Sequence, residues 1–132
     1  MTNNIVPGKK TPALVLNTLD NDKWSLEANL NKTKTMVVFY RGLHCPICAE
    51  FLKLIDSQLS EYKKSNTEVI AVSMDSIEKA LKAKDEWSLH NLKIAYDFSE
   101  EKAREWNLYI SSSIKEAESD VFCEPGLFII KE

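Results

Sequence analysis

The chain has 132 residues, 44% of them hydrophobic, which suits one domain with an enclosed core, and we expect residues 1–132 to form it. The formal charge of −3 comes from 17 basic and 20 acidic residues scattered along the sequence, which argues against nucleic acid or an anionic membrane as a partner. The sequence has no secretory leader pattern and no run near the ~20 apolar residues that cross a bilayer, so we expect a cytoplasmic protein.

Strand-length apolar runs alternate with helical patterns, which is typical of an α/β fold. Apolar runs at residues 11–16 and 23–26 flank the polar turn at 20–22 and predict an opening β-hairpin. The sequence TMVVFY at residues 35–40 predicts a strand that is buried on both faces. A second core strand is predicted at residues 68–74.

Helical periodicity follows each of these two core strands. It predicts one amphipathic helix from Pro46 to about Lys64, with Phe51 and Leu54 among its regularly spaced apolar residues. Asp75 is placed to cap the next helix. We expect the buried stripe of that helix to comprise Ile77, Ala80, Leu81 and Trp87.

The last third of the chain is less regular. A short strand is predicted at residues 93–96, followed by a short helix that Ser99 caps and Asn107 ends. The polar, serine-rich and acidic residues 109–120 predict a loop or irregular helix, and residues 126–130 predict a final strand.

The motif with chemical potential is HCPIC, which directly follows the first core strand. Cys45 lies where the helix begins, and there the free backbone N–H groups and the helix dipole stabilise a thiolate. Cys48 lies three residues further on, so small adjustments bring the two sulfur atoms to bonding distance. His44, when protonated, would favour the thiolate, and Pro46 stiffens the turn. A reversible disulfide is therefore a reasonable expectation.

Other interpretations of the cysteines stay open. The pair could be two inert core thiols, since cysteine is often fully buried, or the fold could be a non-catalytic binding module. It could also be half of a zinc site completed by His44, His90 or Cys123. Cys123 itself is either a further thiol able to resolve a sulfenic acid on Cys45 or an unreactive loop residue.

Several segments carry a family resemblance. VVFYRGLHCPICAEFLKLID resembles the active-site strand and helix of the thioredoxin superfamily, and three other segments resemble its peroxiredoxin-like AhpC/TSA branch: VPGKKTPALVLNTLDNDKWSLEANL, IAYDFSEEKAREWNL and EPGLFII. The resemblance implies a thioredoxin-like α/β fold, with a central mixed sheet flanked by helices and an N-terminal β-hairpin extension, shortened by the strand and helix that the family would add after Ile130. It also implies that Pro125 is cis and packs against the cysteine loop.

Such a resemblance implies a thiol-dependent redox enzyme that needs no cofactor. Cys45 would attack a peroxide or a disulfide, Cys48 would resolve the product, and an external thiol reductant such as a thioredoxin or glutathione system would reopen the pair. A partner chain covering an exposed sheet edge would give a homodimer.

Two departures from the family pattern concern the same site. Peroxiredoxins carry P-x-x-x-T-x-x-C, and here Val38 and Gly42 stand at the proline and threonine positions. The family's arginine from a later strand has no clear match, and Arg41 is the candidate to replace it through the turn. The missing threonine favours a disulfide substrate, whereas the resemblance of the whole chain favours a peroxide.

Overall fold

The computed structural model describes residues 10–30, 33–112 and 121–131. The elements of these ranges are, in chain order, β1 (Val15–Thr18), β2 (Lys23–Ser25), α1 (Leu26–Leu30), β3 (Lys34–Phe39), α2 (Pro46–Ser57), α3 (Leu59–Lys64), β4 (Thr67–Val72), α4 (Ile77–Glu86), β5 (Lys93–Tyr96), α5 (Glu100–Glu105), β6 (Ile110–Ser112), β7 (Val121–Cys123) and β8 (Gly126–Ile130).

Six of the strands form a mixed sheet in the order β2-β1-β5-β4-β3-β8. Strands β3, β4 and β5 are parallel, while β1 and β8 join them antiparallel from opposite sides. The opening hairpin of β1 and β2 is confirmed, and its turn is closed by the N–H of Thr18 donating to the carbonyl of Asp22 at 2.9 Å. The predicted thioredoxin-like architecture, a mixed sheet flanked by helices, is confirmed.

Strand β3 separates two apolar clusters. Val38 and Tyr40, which directly follows the strand, face the side covered by α2 and α4, whereas Val37 and Phe39 face the side covered by α5 and Trp106. Alternation along a strand sends successive side chains to opposite faces, and all five residues from Thr35 to Phe39 are buried. The prediction of a strand buried on both faces is therefore confirmed.

The helix predicted from Pro46 to Lys64 is two helices. Helix α2 ends at Ser57, and Gln58, with φ −109° and ψ 10°, lies between it and α3. The buried side of α2 consists of Cys48, Ala49, Leu52 and Ile55. Phe51 and Leu54 are exposed instead, because α2 carries apolar residues on two sides and periodicity alone does not tell which side the sheet covers.

The cap assigned to Asp75 was also wrong. Ser76 is the residue before α4, and its hydroxyl accepts from the N–H of Lys79 at 3.4 Å. Ala80 and Trp87 are buried as predicted, but Ile77 and Leu81 are exposed by 38% and 48%. The fully buried residues of α4 are Ala80 and Ala83, which belong to the apolar cluster between the helices and the sheet. The Ser99 cap of α5 is confirmed by its bond from the N–H of Lys102 at 3.1 Å.

The segment predicted as loop or irregular helix at 109–120 includes a strand. Residues of β6 pair antiparallel with β7, with Ile110 opposite Cys123, in a second, two-stranded sheet. Residues 113–120 lie outside the described ranges. Across residues 10–30, 33–112 and 121–131, no helix has both the length and the apolar character needed to span a membrane.

Two leucines of α2, two residues apart, test which side of the helix faces the sheet. Leu52 is 0% exposed and Leu54 is 54% exposed. Leu52→Ala should lower the free energy of unfolding by about 2–5 kcal/mol through lost burial and a cavity, whereas Leu54→Ala should change it by about 0.5 kcal/mol. Urea unfolding of both variants measures the difference, and equal losses would contradict the orientation of α2.

Candidate active site

Cys45 occupies the N-cap position of α2. Its backbone is extended, with φ −107° and ψ 102°, and its sulfur accepts from the backbone N–H of Cys48 at 3.2 Å. Pro46 is the first residue of the helix, where a missing N–H costs nothing. The sequence placed Cys45 at the start of this helix, and the structure puts its sulfur on one of the helix's free N–H groups.

The side chains of Cys45 and Cys48 are both buried. Cys45 is 5% exposed and Cys48 is 4% exposed, and both belong to the apolar cluster between α2 and the sheet. Burial is a property that the pair shares with inert core thiols. The hydrogen bond from the helix N-terminus to the Cys45 sulfur is the feature that distinguishes the pair from such thiols.

The environment of Cys48 disfavours its thiolate. Burial, together with a hydrogen bond to Cys45, raises the pKa of Cys48 from 9.0 to about 12. A backbone hydrogen bond from Arg41 and the Arg41 charge lower this pKa without offsetting the burial. Cys48 therefore keeps its proton at neutral pH, and Cys45 is the sulfur that accepts hydrogen bonds.

Arg41 and His44 contact Phe122 of β7 beside the cysteine turn, and Arg41 also contacts Glu124, which follows β7. The guanidinium of Arg41 lies 4.7 Å above the ring of Phe122, and the His44 ring lies 4.6 Å from the same ring. Nε of Arg41 also forms an ion pair with Oε1 of Glu124 at 3.0 Å. The turn that carries these two residues is thus held by aromatic contacts with β7 and by an ion pair with the residue that follows it.

Pro125 is not cis. No peptide bond within the described ranges is cis, and Pro125 itself is exposed. Glu124, the preceding residue, donates its N–H to the carbonyl of Tyr109 at 2.8 Å. Because the trans preference of an X-Pro bond is only about 0.5–1 kcal/mol, tertiary contacts of this kind decide the isomer and the residue types do not.

Cys123 is not brought to the pair. It is fully buried in the apolar cluster on the other face of the sheet, and its thiol donates to the carbonyl of Tyr40 at 3.6 Å. Burial raises its pKa from 9.0 to about 12, and the negative charges of Glu124 and Asp75 act in the same direction. These contacts describe an unreactive thiol.

The structure does not support a zinc site among the residues it describes. No group of three or more His, Cys, Asp or Glu side chains there is placed to hold a metal ion.

Asp75 is a residue of this site that the sequence did not reveal. Its side chain is 2% exposed, and Oδ2 accepts from the backbone N–H of Leu43 at 2.8 Å, inside the turn before Cys45. The signal available in the sequence was the position of Asp75 just after a core strand. The carboxyl ends of parallel strands such as β3 and β4 meet at one edge, so residues that follow them come together.

Comparisons with known proteins agree with the overall fold. Among solved structures, the chain resembles peroxidoxin BcpB from Mycobacterium tuberculosis at 14% identity and a TM-score of 0.76, covering 93% of this chain and 77% of that one. It resembles a peroxiredoxin-like protein from Aquifex aeolicus at 18% identity and a TM-score of 0.76, covering 97% of this chain and 71% of that one. It also resembles peroxiredoxin 6 of Arenicola marina at 16% identity and a TM-score of 0.77. That match covers 96% of this chain and 60% of the other chain.

None of the curated proteins matches the sequence. The model of the AhpC/TSA family, however, matches residues 7–132, which is nearly the whole chain, and the solved structures above share its fold. The chain therefore belongs to the AhpC/TSA family.

Proposed function

We propose that the protein is a thiol-dependent redox enzyme of the peroxiredoxin-like group, with Cys45 as its nucleophile and Cys48 as its resolving thiol. The observation that supports this most directly is the Cys45 sulfur at the N-terminus of α2, accepting the N–H of Cys48 at 3.2 Å. A helix N-terminus stabilises negative charge, and the thiolate is the form of cysteine that attacks. Membership of the AhpC/TSA family supports the same assignment.

With a peroxide, the Cys45 thiolate attacks the terminal oxygen and the O–O bond breaks. Cys45 becomes a sulfenic acid, and the released alkoxide or hydroxide takes up a proton. Cys48 then attacks the Cys45 sulfur, a disulfide forms, and water leaves. An external thiol reductant, either a dithiol such as a thioredoxin or two molecules of glutathione, reduces that disulfide.

With a disulfide, Cys45 attacks one sulfur of the substrate and releases the other as a thiolate. Cys48 next attacks the Cys45 sulfur of the mixed disulfide, which frees the second half of the substrate. The protein ends with the same Cys45–Cys48 disulfide. We propose a reducing cytoplasm as the compartment, because three cysteines are too few for a disulfide-stapled scaffold.

Arg41, His44 and Pro46 are proposed to support this chemistry. The Arg41 charge lowers the pKa of Cys48 and so favours the thiolate that resolution needs. His44 and Arg41 hold the turn against Phe122. Pro46 starts α2 directly after the nucleophile, which fixes the direction of the first helical N–H groups.

A thiol-disulfide oxidoreductase without peroxidase activity is the second candidate, and the environment of Gly42 favours it. Gly42 stands where peroxiredoxins place a threonine hydroxyl, and its φ is +128°. A Cβ at this position would lie 2.6 Å from Oδ1 of Asp75, so a hydroxyl-bearing side chain does not fit while Asp75 stays in place. A tight peroxide pocket would lack that donor.

The first test compares hydrogen peroxide and insulin disulfide as substrates for the reduced protein in stopped-flow and turnover assays. Cys45→Ser should lower the rate with the accepted substrate at least about 10³-fold, because the nucleophile is gone. Cys48→Ser should complete the first step once and then stop, leaving a sulfenic acid or a mixed disulfide on Cys45 that mass spectrometry detects. Cys123→Ala is the matched control and should turn over like the wild type.

The outcomes separate the candidates. Rapid sulfenic acid formation that requires Cys45 selects the peroxidase, and insulin reduction without it selects the disulfide oxidoreductase. A Cys45→Ser variant that retained all cellular activity would reject both and favour a binding module.

The resolving step should depend on pH because the pKa of Cys48 is raised to about 12, mainly by burial. Only the Cys48 thiolate attacks, and its fraction rises about tenfold per pH unit below that pKa. Disulfide closure should therefore speed up by about that factor between neutral and mildly alkaline pH. Rapid-quench trapping of the remaining sulfenic acid measures the rate, and a flat profile would contradict the raised pKa.

A further inference from the structure

Asp75 is anchored at the edge of the sheet where strands β4 and β5 end. Its backbone N–H donates to the Ser73 hydroxyl at 3.3 Å, and its carbonyl accepts from the N–H of Asp97 at 2.8 Å. The side chain is 2% exposed. Burying a carboxylate costs free energy unless hydrogen bonds compensate it, so the groups that donate to the Asp75 oxygens are held in place by that requirement.

One peptide group connects this carboxylate to the nucleophile. The N–H of Leu43 donates to Oδ2 of Asp75 at 2.8 Å, and the carbonyl of the same Gly42–Leu43 peptide accepts the N–H of Cys45 at 3.1 Å. Asp75 therefore fixes the orientation of this peptide plane through the N–H, and the carbonyl of the same plane holds the backbone of Cys45 by a hydrogen bond.

Close packing enforces the arrangement. A Cβ on Gly42 would lie 2.6 Å from Oδ1 and 2.8 Å from Oδ2 of Asp75, so the carboxylate rests against the bare Cα of the glycine. The φ of +128° at Gly42 is a conformation that L side chains rarely adopt. The turn and the carboxylate thus occupy space that neither could occupy with a larger residue at position 42.

The geometry of Cys45 follows from this turn. Its extended backbone, with φ −107° and ψ 102°, is what places the sulfur 3.2 Å from the N–H of Cys48. Without an acceptor for the Leu43 N–H, the Gly42–Leu43 peptide is free to rotate, and the N–H of Cys45 loses its fixed carbonyl. The sulfur would then leave the helix N-terminus.

We infer that Asp75 is a positioning residue of the thiol site, whose carboxylate oxygen orients the Gly42–Leu43 peptide and so holds the Cys45 sulfur at the N-terminus of α2. This inference rests on the proposed function only in taking Cys45 as the nucleophile. Asp75 acts through the turn and does not touch the substrate. Its negative charge is a separate influence, since it raises the pKa of Tyr40 and of Cys123.

The test separates the hydrogen bond from the charge. In a Cys48→Ser, Cys123→Ala background, Cys45 is the only thiol, and its ionisation is followed by the ultraviolet absorbance of the thiolate against pH. Asp75→Asn and Asp75→Ala both remove the charge, but only the asparagine keeps an acceptor for Leu43. We expect the midpoint of Asp75→Ala about one pH unit above that of Asp75→Asn, a tenfold smaller thiolate fraction below the midpoint.

The matched control is Asp85, an exposed carboxylate of α4, whose asparagine and alanine variants should have coincident midpoints. Coincident midpoints for the two Asp75 variants, both folded by circular dichroism, would overturn the inference. Should Asp75→Ala fail to fold, hydrogen exchange of the Leu43 amide in the reduced wild-type protein decides: protection supports the bond, and exchange at the rate of an open amide rejects it.

The titration contains neither peroxide nor disulfide. A protein that turns over no substrate but shows the expected separation of midpoints keeps the positioning role and loses the proposed function. A protein that turns over substrate with no separation loses only the positioning role.

Discussion

The hydrogen bond from the N–H of Cys48 to the sulfur of Cys45 joins two tasks in one contact. It caps α2, a role that serine, threonine, asparagine or aspartate usually performs, and it sets the position of one thiol relative to the other. Sulfur is a weaker acceptor than oxygen, so the rest of the turn has to hold the cap in place. The structure around residues 41–45 is organised to do this.

Three parts of the fold converge on that turn. Asp75 supports it from the ends of β4 and β5, and the Phe122 ring of β7 holds Arg41 and His44 at its side. The third is the Tyr40–Arg41 peptide, whose carbonyl accepts the thiol of Cys123 and whose N–H side lowers the pKa of Cys48. The Tyr40–Arg41 peptide therefore stands between Cys48 and Cys123.

Much of the fold was readable from local sequence because local physics decides it. The runs of apolar, β-branched residues correctly predicted the parallel strands. Pro46 marked the start of α2, and Ser99 caps α5 as expected. The errors concern contacts between distant segments. Whether Phe51 or Leu52 faces the sheet, whether Pro125 is trans, and which face holds Cys123 depend on partners that no short pattern specifies.

Asp75 illustrates this limit most clearly. An aspartate before a helical pattern satisfies the local rule for a cap, and Ser76 satisfies it equally well one residue later. The Asp75 carboxylate does not cap α4 because it accepts a hydrogen bond from the backbone N–H of Leu43, 32 positions earlier in the chain. The local rule was physically sound, but the tertiary hydrogen bond outweighed it.

The contact of Gly42 with Asp75 constrains how this site can diverge. Since a Cβ at residue 42 would lie 2.6 Å from Oδ1, the threonine that peroxiredoxins carry there cannot be restored while the aspartate stays in place. Shrinking Asp75 first would strip Leu43 of its acceptor. Each single step is unfavourable alone, so the two positions are epistatic, and an evolutionary path between the two kinds of turn has to change both together.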